Sequence, residues 1–80
     1  MEYAVYLLAC ADGTFYTGIT TDIARRLKEH NESNKGAKYT KARRPVTLVY
    51  EERYGSRSEA QKREYVLRHL THTEKQALAS

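Results

Sequence analysis

The stretch Tyr16–His30, YTGITTDIARRLKEH, reads as a strand end, a glycine passage, a helix start and a helix. β-Branched and aromatic residues crowd Thr14–Thr20, TFYTGIT, as a pleated strand requires. Thr21 is the expected N-cap, and Asp22 suits the positive end of the helix that follows. That helix should run to about Asn31, with Ile23 and Leu27 marking its buried stripe. Arg26 and His30 fall beside the stripe and are i,i+4 neighbours. A tyrosine, an arginine and a histidine on one strand-to-helix unit make a surface suited to anions. On an isolated helix, Arg26 would instead read as a salt-bridge or snorkelling residue.

Upstream, Tyr3–Cys10 (YAVYLLAC) is short, apolar and aromatic, and Asp12-Gly13 follows as a turn signal. The two segments predict a β-hairpin. A two-residue Asp12-Gly13 loop pairs Ala9 with Tyr16 and puts Tyr6 and Tyr16 on opposite faces. A three-residue loop ending in a left-handed Gly13 pairs Cys10 with Thr14, Leu8 with Tyr16 and Tyr6 with Gly18. Both tyrosines then share a face. A joint tyrosine site requires the second register.

Downstream, Asn31–Pro45 (NESNKGAKYTKARRP) is the longest irregular stretch. Five basic residues and no acid lie between Lys35 and Arg44. This is either a solvated basic loop or a phosphate-facing one, and Tyr39 within it favours the latter slightly. A long loop in so small a domain is more often functional than idle. Val46–Tyr54 (VTLVYEERY) predicts a third strand with Val46, Leu48 and Tyr50 on one face. Gly55 breaks it, and Ser56 with Glu59 forms a capping box for a second helix ending near His69. Ala60 and Leu67 define its buried face, and Glu64 lies between them. A carboxylate there is uncommon unless paired or metal-bound. Its structural alternative is a bridge to Arg63, Arg68 or a strand residue. Thr71 and Glu74 form another capping box, opening a short third helix with Ala77 and Leu78 packing inward. His69 and His72 read as a helix C-terminal cation and a surface residue, not metal ligands.

The expected architecture is one α+β domain over residues 1–80, a three-stranded, mainly antiparallel sheet flanked by helices in the order β-β-α-β-α-α. The 80 residues hold one cysteine, Cys10, so neither an intrachain disulfide nor a thiolate metal cluster can form. Cys10 in an apolar strand reads as a core residue. The composition fits a reducing cytoplasm. No apolar run reaches the roughly 18 residues of a membrane span, and the N-terminus, with Glu2 and no basic leader, does not read as a signal peptide. A net charge of +4 suits a polyanionic partner.

Order and spacing carry more than any one residue. Ala4-Val5-Tyr6, then Tyr16-Thr17-Gly18, then Asp22, Arg26 and His30 within TTDIARRLKEH, then Glu64 within KREYVL, closely resemble the GIY-YIG nuclease superfamily over nearly the whole chain. The stretch GAKYTKARRPVTLVYE looks most like the small bacterial single-domain YhbQ-like branch and the related structure-specific Slx-type nucleases. Ala4, Val5 and Thr17 depart from the family's motifs at structural positions. The asparagine that several members place after the metal-binding helix has no counterpart, Asn34 being the last asparagine.

The resemblance implies a metal-dependent endonuclease acting on DNA, whether branched, damaged or single-stranded, in repair or recombination. It implies that Glu64 binds one divalent ion, Mg²⁺ or Mn²⁺, and that Arg26 binds the scissile phosphate. Tyr6 and Tyr16 would position water and phosphate. Tyr6 would be the general base if nearby positive charge lowers its pKa. His30 would support Tyr6 or the phosphate, Gly18 would keep the strand exit open, and Lys38, Tyr39, Lys41, Arg43 and Arg44 would track the nucleic-acid backbone. DNA is favoured over RNA as the partner, and a protein partner would supply targeting in place of a second DNA-binding domain. The competing expectation is a nucleic-acid-binding or adaptor module without catalysis.

Overall fold

The turn at Gly13 decides the sheet. In the computed structural model, which describes residues 1–80, Gly13 has φ +85°, a left-handed conformation that glycine adopts without steric cost. The Cys10 N–H donates to the Thr14 carbonyl at 2.8 Å and the Gly13 N–H to the Cys10 carbonyl at 3.0 Å. The loop is therefore the three-residue form. Strands β1 (Tyr3–Ala9) and β2 (Phe15–Thr20) pair antiparallel with Tyr6 opposite Gly18 and Leu8 opposite Tyr16. Tyr6 and Tyr16 share a face.

Strand β3 (Thr47–Tyr54) pairs antiparallel with the other edge of β1, giving the sheet order β2-β1-β3. Simple alternation fails in β3. Leu7 faces Tyr50 but Leu8 faces Leu48, so a bulge at Val49 inserts one residue and reverses the parity. Val46 and Leu48 pack with Tyr6, Leu8 and Cys10, whereas Tyr50 and Tyr54 pack with Val5 on the opposite face. The expectation that Val46, Leu48 and Tyr50 share a face is corrected accordingly.

Helix α1 (Ile23–Glu32) lays Ile23 and Leu27 on the Tyr6–Leu8 cluster. Its N-cap is Asp22, not Thr21. The Asp22 carboxylate accepts the Arg25 N–H at 3.1 Å, while the Thr20 hydroxyl accepts the Asp22 N–H and turns the chain into the helix. His30 lies inside the buried stripe, fully enclosed. A short helix, α2 (Lys38–Lys41), stands in the stretch expected to be irregular, so the order is β-β-α-α-β-α-α.

Helix α3 (Arg57–Arg68) covers the opposite face, where Ala60 and Leu67 close on Val5 and Ile19. Truncating a leucine buried like Leu67 costs about 2–5 kcal/mol. The Ser56 hydroxyl caps α3 by accepting the Glu59 N–H at 3.2 Å. Arg63 grips Glu52 of β3 through two bonds of 2.7 and 2.9 Å, and the Tyr50 and Tyr54 hydroxyls donate to the same carboxylate. This cluster fixes α3 against the sheet. Helix α4 (His72–Ala79) opens with the expected Thr71–Glu74 capping box. Leu78 packs into the α3-side core, but Ala77 stays exposed. No helix is long and apolar enough to cross a membrane.

Candidate active site

The hairpin register and α1 bring Tyr6, Tyr16 and His30 together. The Tyr6 hydroxyl lies 2.8 Å from His30 Nε2, and the Tyr16 and His30 ring centroids are 5.1 Å apart. Gly18 makes this possible, because a Cβ there would overlap the Tyr6 hydroxyl. On its far side, His30 Nδ1 lies 2.8 Å from the Thr40 hydroxyl. Thr40 donates its own proton to the Ala37 carbonyl at 2.9 Å, so toward His30 it can only accept. His30 therefore carries its proton on Nδ1, and Nε2 accepts from Tyr6. The Ala37 N–H, 3.5 Å from Nδ1, is at the outer limit of a hydrogen bond and the weaker claimant. The result is a one-way chain from Tyr6 through His30 and Thr40 to Ala37.

Burial governs the titration of this pair. Desolvation pushes Tyr6 up to about 12, with Tyr16 adding to the rise and the nearby Arg26 guanidinium only partly opposing it. The condition that nearby positive charge lower Tyr6 is not met, because the residue is 2% exposed and a phenolate there is poorly solvated. Tyr6 is thus a neutral donor. Burial also pushes His30 down to about 4, with Arg26 acting in the same direction. At neutral pH the imidazole is uncharged. Tyr16, half-buried, is the tyrosine that solvent can reach.

Arg26 lines a small hollow with Tyr6, Leu8, Ile23 and Leu27. Its Nη1 donates to Glu29 at 2.9 Å and to the Lys35 carbonyl at 2.7 Å. Nε and Nη2 have no protein acceptor beyond the adjacent Tyr6 hydroxyl. Nη1 is thus pinned, and the N–H groups of Nε and Nη2 are the ones that could donate to an anion.

The basic loop divides into anchors and free charges. Arg44 is an anchor: Nε donates to the His30 carbonyl at 2.6 Å, and Nη2 to Ser33 and Glu29 carbonyls at 2.6 and 3.3 Å. It satisfies the unpaired C-terminal carbonyls of α1, a structural role that the sequence did not suggest beside its expected place on the nucleic-acid backbone. Asn31 likewise clamps the start of β3 through both backbone groups of Val46. Gly36 lets the loop cross α1, since a Cβ there would sit 2.6 Å from the Glu29 carbonyl. Arg43 is drawn inward, 2.9 Å from Asp12 and 3.8 Å over the Tyr39 ring. Lys38 and Lys41 are exposed and make no ion pair. Tyr39 stacks on Tyr16 at 6.1 Å.

Glu64 comes from α3, the helix on the other face of the sheet. Its side chain is 17% exposed, and its carboxylate has one partner, Arg68, at 3.8 Å. No three His, Cys, Asp or Glu residues gather anywhere as a metal cage. A largely unspent carboxylate without such a cage fits Mg²⁺, which keeps several waters and is completed by substrate phosphate. It does not fit zinc, which takes three or four protein ligands, chiefly His and Cys. His69 and His72 are engaged elsewhere, His69 Nδ1 with the Tyr65 carbonyl at 2.7 Å and His72 Nε2 with the Gly13 carbonyl at 2.9 Å.

Sequence reasoning missed Thr40, Glu29 and the anchoring role of Arg44. For Glu29 a signal existed, its i+3 spacing from Arg26. For Thr40 there was none, because its contact with His30 depends on how the loop folds back.

Residues 2–77 match the model of the GIY-YIG catalytic domain. The chain is 62% identical over 74 residues to a UPF0213 protein of Desulfotalea psychrophila, covering 92% of this chain and 67% of that one. Against a UPF0213 protein of Halobacterium salinarum the identity is 53%, covering 92% and 95%. The solution NMR structure of a UPF0213 protein from Bacillus halodurans is similar at TM-score 0.59 and 47% identity, over 98% of this chain and 82% of that one. A protein of E. faecalis solved by NMR is similar at TM-score 0.63 and 45% identity, over 94% and 79%.

Proposed function

The chain belongs to the GIY-YIG catalytic-domain family, and on that premise we propose that it is a Mg²⁺- or Mn²⁺-dependent endonuclease hydrolysing phosphodiester bonds in DNA. The observation that carries the proposal is the Tyr6–His30–Thr40 chain set beside an arginine with one unspent edge. Burying an ordered tyrosine–histidine pair next to a half-bound guanidinium serves packing poorly and phosphate chemistry well.

In this reading Arg26 holds two oxygens of the scissile phosphate through Nε and Nη2 and stabilises the charge that develops there. Tyr16 orients phosphate and water from the solvent side. Tyr6 already directs its proton at His30 Nε2, so a proton reaching the Tyr6 oxygen displaces that proton onto the imidazole. A bound phosphate offsets the Arg26 charge that helps hold His30 down, so the proton affinity of His30 rises as substrate arrives. Glu64 is the residue that would hold the divalent ion, which when bound neutralises phosphate charge and activates water. Over the reaction a water oxygen bonds to phosphorus, one ester P–O bond breaks, and the leaving oxygen takes up a proton. Gly18 keeps room for the Tyr6 hydroxyl, and Lys38, Lys41 and Tyr39 face the flanking strand. Branched, damaged or single-stranded DNA in repair or recombination is the proposed substrate, with targeting supplied by a protein partner.

A second reading, binding without turnover, is favoured by two observations. Arg26 already spends Nη1 on Glu29, and Glu64 stands without a second carboxylate. Cleavage of a panel of flap, fork, junction, single-strand and duplex DNA with Mg²⁺ or Mn²⁺ separates the two. The nuclease reading requires turnover that Glu64→Gln and Arg26→Ala abolish while the fold persists. Salt-dependent binding with no cleavage across the panel would establish the second reading instead.

A further inference from the structure

We propose that the hollow between β2 and the α3–α4 corner binds an unpaired nucleotide flanking the scissile phosphate, an inference that rests on the nuclease reading above. The hollow is open, about 370 Å³, and lined by Phe15, Tyr16, Thr17, Tyr39, Arg68 and Lys75. That volume falls within the range of small-ligand sites. Tyr16 belongs to both places, since its ring also packs on His30. A ligand in the hollow therefore adjoins the candidate active site.

The lining joins aromatic surface to positive charge, the combination that single-stranded nucleic acid selects. Phe15, Tyr16 and Tyr39 supply three rings. Tyr39 is held in place by the Arg43 guanidinium, 3.8 Å over its ring. Arg68 and Lys75 come from α3 and α4, outside the basic loop. Lys75 makes no ion pair, and the Arg68 side chain is 57% exposed with only a 3.8 Å contact to Glu64. Both cations are therefore available to phosphate.

Thr17 forms part of the hollow wall. The residue is 8% exposed, and its Oγ1 is the one buried hydroxyl in the chain with no hydrogen-bond partner. An orphaned buried hydroxyl is unfavourable, and although this one belongs to a residue of the hollow wall, the oxygen itself is closed off from solvent. A duplex covers its ring faces by stacking and offers only base edges, so an aromatic hollow flanked by cations suits an unpaired base.

The test uses the full chain without metal, so that binding is read apart from cleavage. Fluorescence anisotropy compares a short single-stranded DNA carrying 2-aminopurine with the blunt duplex of the same sequence. The wild type should bind the single strand about tenfold tighter and quench 2-aminopurine, as a single base–aromatic stack would suffice to produce. Lys75→Glu should lose about tenfold for the single strand and under about twofold for the duplex. Equal affinity for both forms, or a Lys75→Glu effect that is absent or equal on both, would overturn this inference and leave the nuclease reading standing. Binding of neither DNA would overturn both.

Discussion

The Tyr6 hydroxyl donates to His30 Nε2 across 2.8 Å, from a face of the sheet that only the three-residue Gly13 turn makes possible. Because Thr40 spends its proton on Ala37, the His30 proton sits on Nδ1. In this arrangement Tyr6 is the buried partner of His30 and Tyr16 is the tyrosine that meets solvent. The tautomer follows from the bonding of a residue ten positions away, in a stretch that composition alone presents as loop.

Thr40→Val keeps the shape at position 40 and removes the acceptor. His30 Nδ1–H is then buried without its best partner, at a cost of about 1–3 kcal/mol, and the proton is free to move to Nε2. Nitrogen chemical shifts of His30 should report the Nδ1–H tautomer in the wild type and a mixed population in the variant. An Nε2–H tautomer in the wild type would refute the assigned direction of the chain. A merely structural threonine would alter the melting curve without altering those shifts.

Stability should fall with acid in two separable windows. Burial, assisted by Arg26, holds folded His30 at about 4 against an ordinary 6.5. The unfolded chain therefore takes up a proton first, and the His30 contribution is complete above about pH 6.5 and lost as pH falls toward 4. Glu52 is held at about 2 by Arg63, then by the Tyr50 and Tyr54 hydroxyls, against an ordinary 4.5. Its contribution is complete above about pH 4.5 and lost toward 2. Urea midpoints measured from about pH 8 downward should decline in the upper window first. His30→Gln should flatten that window alone. A midpoint independent of pH between about 7 and 5 would contradict a buried neutral His30.

Glu52→Gln tests the clamp between β3 and α3. The substitution halves the charge-assisted bonding to Arg63 and disturbs the two tyrosine donors. A loss of about 2 kcal/mol is expected from chemical denaturation, near the upper range for bonds to a charged group. Because α3 also carries Glu64, the variant should bind Mn²⁺ more weakly in a calorimetric titration. Unchanged Mn²⁺ affinity with lowered stability would mean that Glu64 does not depend on this clamp.

Local signals marked most of this fold. Asp12-Gly13 located the hairpin and limited its register to two forms, and period 3.6 with Ser56 and Thr71 located the later helices. The features without a local signal are non-local. Nothing in VTLVYEERY marks Val49 as a bulge, because the extra residue is defined by its pairing with Leu7 and Leu8. Helix α2 has only four residues and is held by Thr40 against His30. Glu52 was nearer to legible, since Tyr50 and Tyr54 flank it at period 2 on one strand face. At the site, spacing was enough to nominate Tyr6, Arg26 and His30, but the direction of the Tyr6 shift depends on burial, which only the packed structure supplies.

Arg44 and Lys41 lie three residues apart in the same basic stretch and should behave oppositely. Arg44 occupies three carbonyls at the end of α1 and therefore holds the loop to the helix. Lys41 is exposed and unpaired. Arg44→Ala should cost about 1–3 kcal/mol of stability by leaving those carbonyls unsatisfied. It should leave the salt dependence of DNA binding almost unchanged when measured well below the melting temperature. Lys41→Ala should change stability by less than about 0.5 kcal/mol. It should instead lower the slope of log affinity against log salt by about 0.7 on single strands, the yield of one lost phosphate contact. Anisotropy titrations over a salt series, paired with urea unfolding of both variants, decide the matter. A reduced salt slope in Arg44→Ala at full stability would return Arg44 to the nucleic-acid interface.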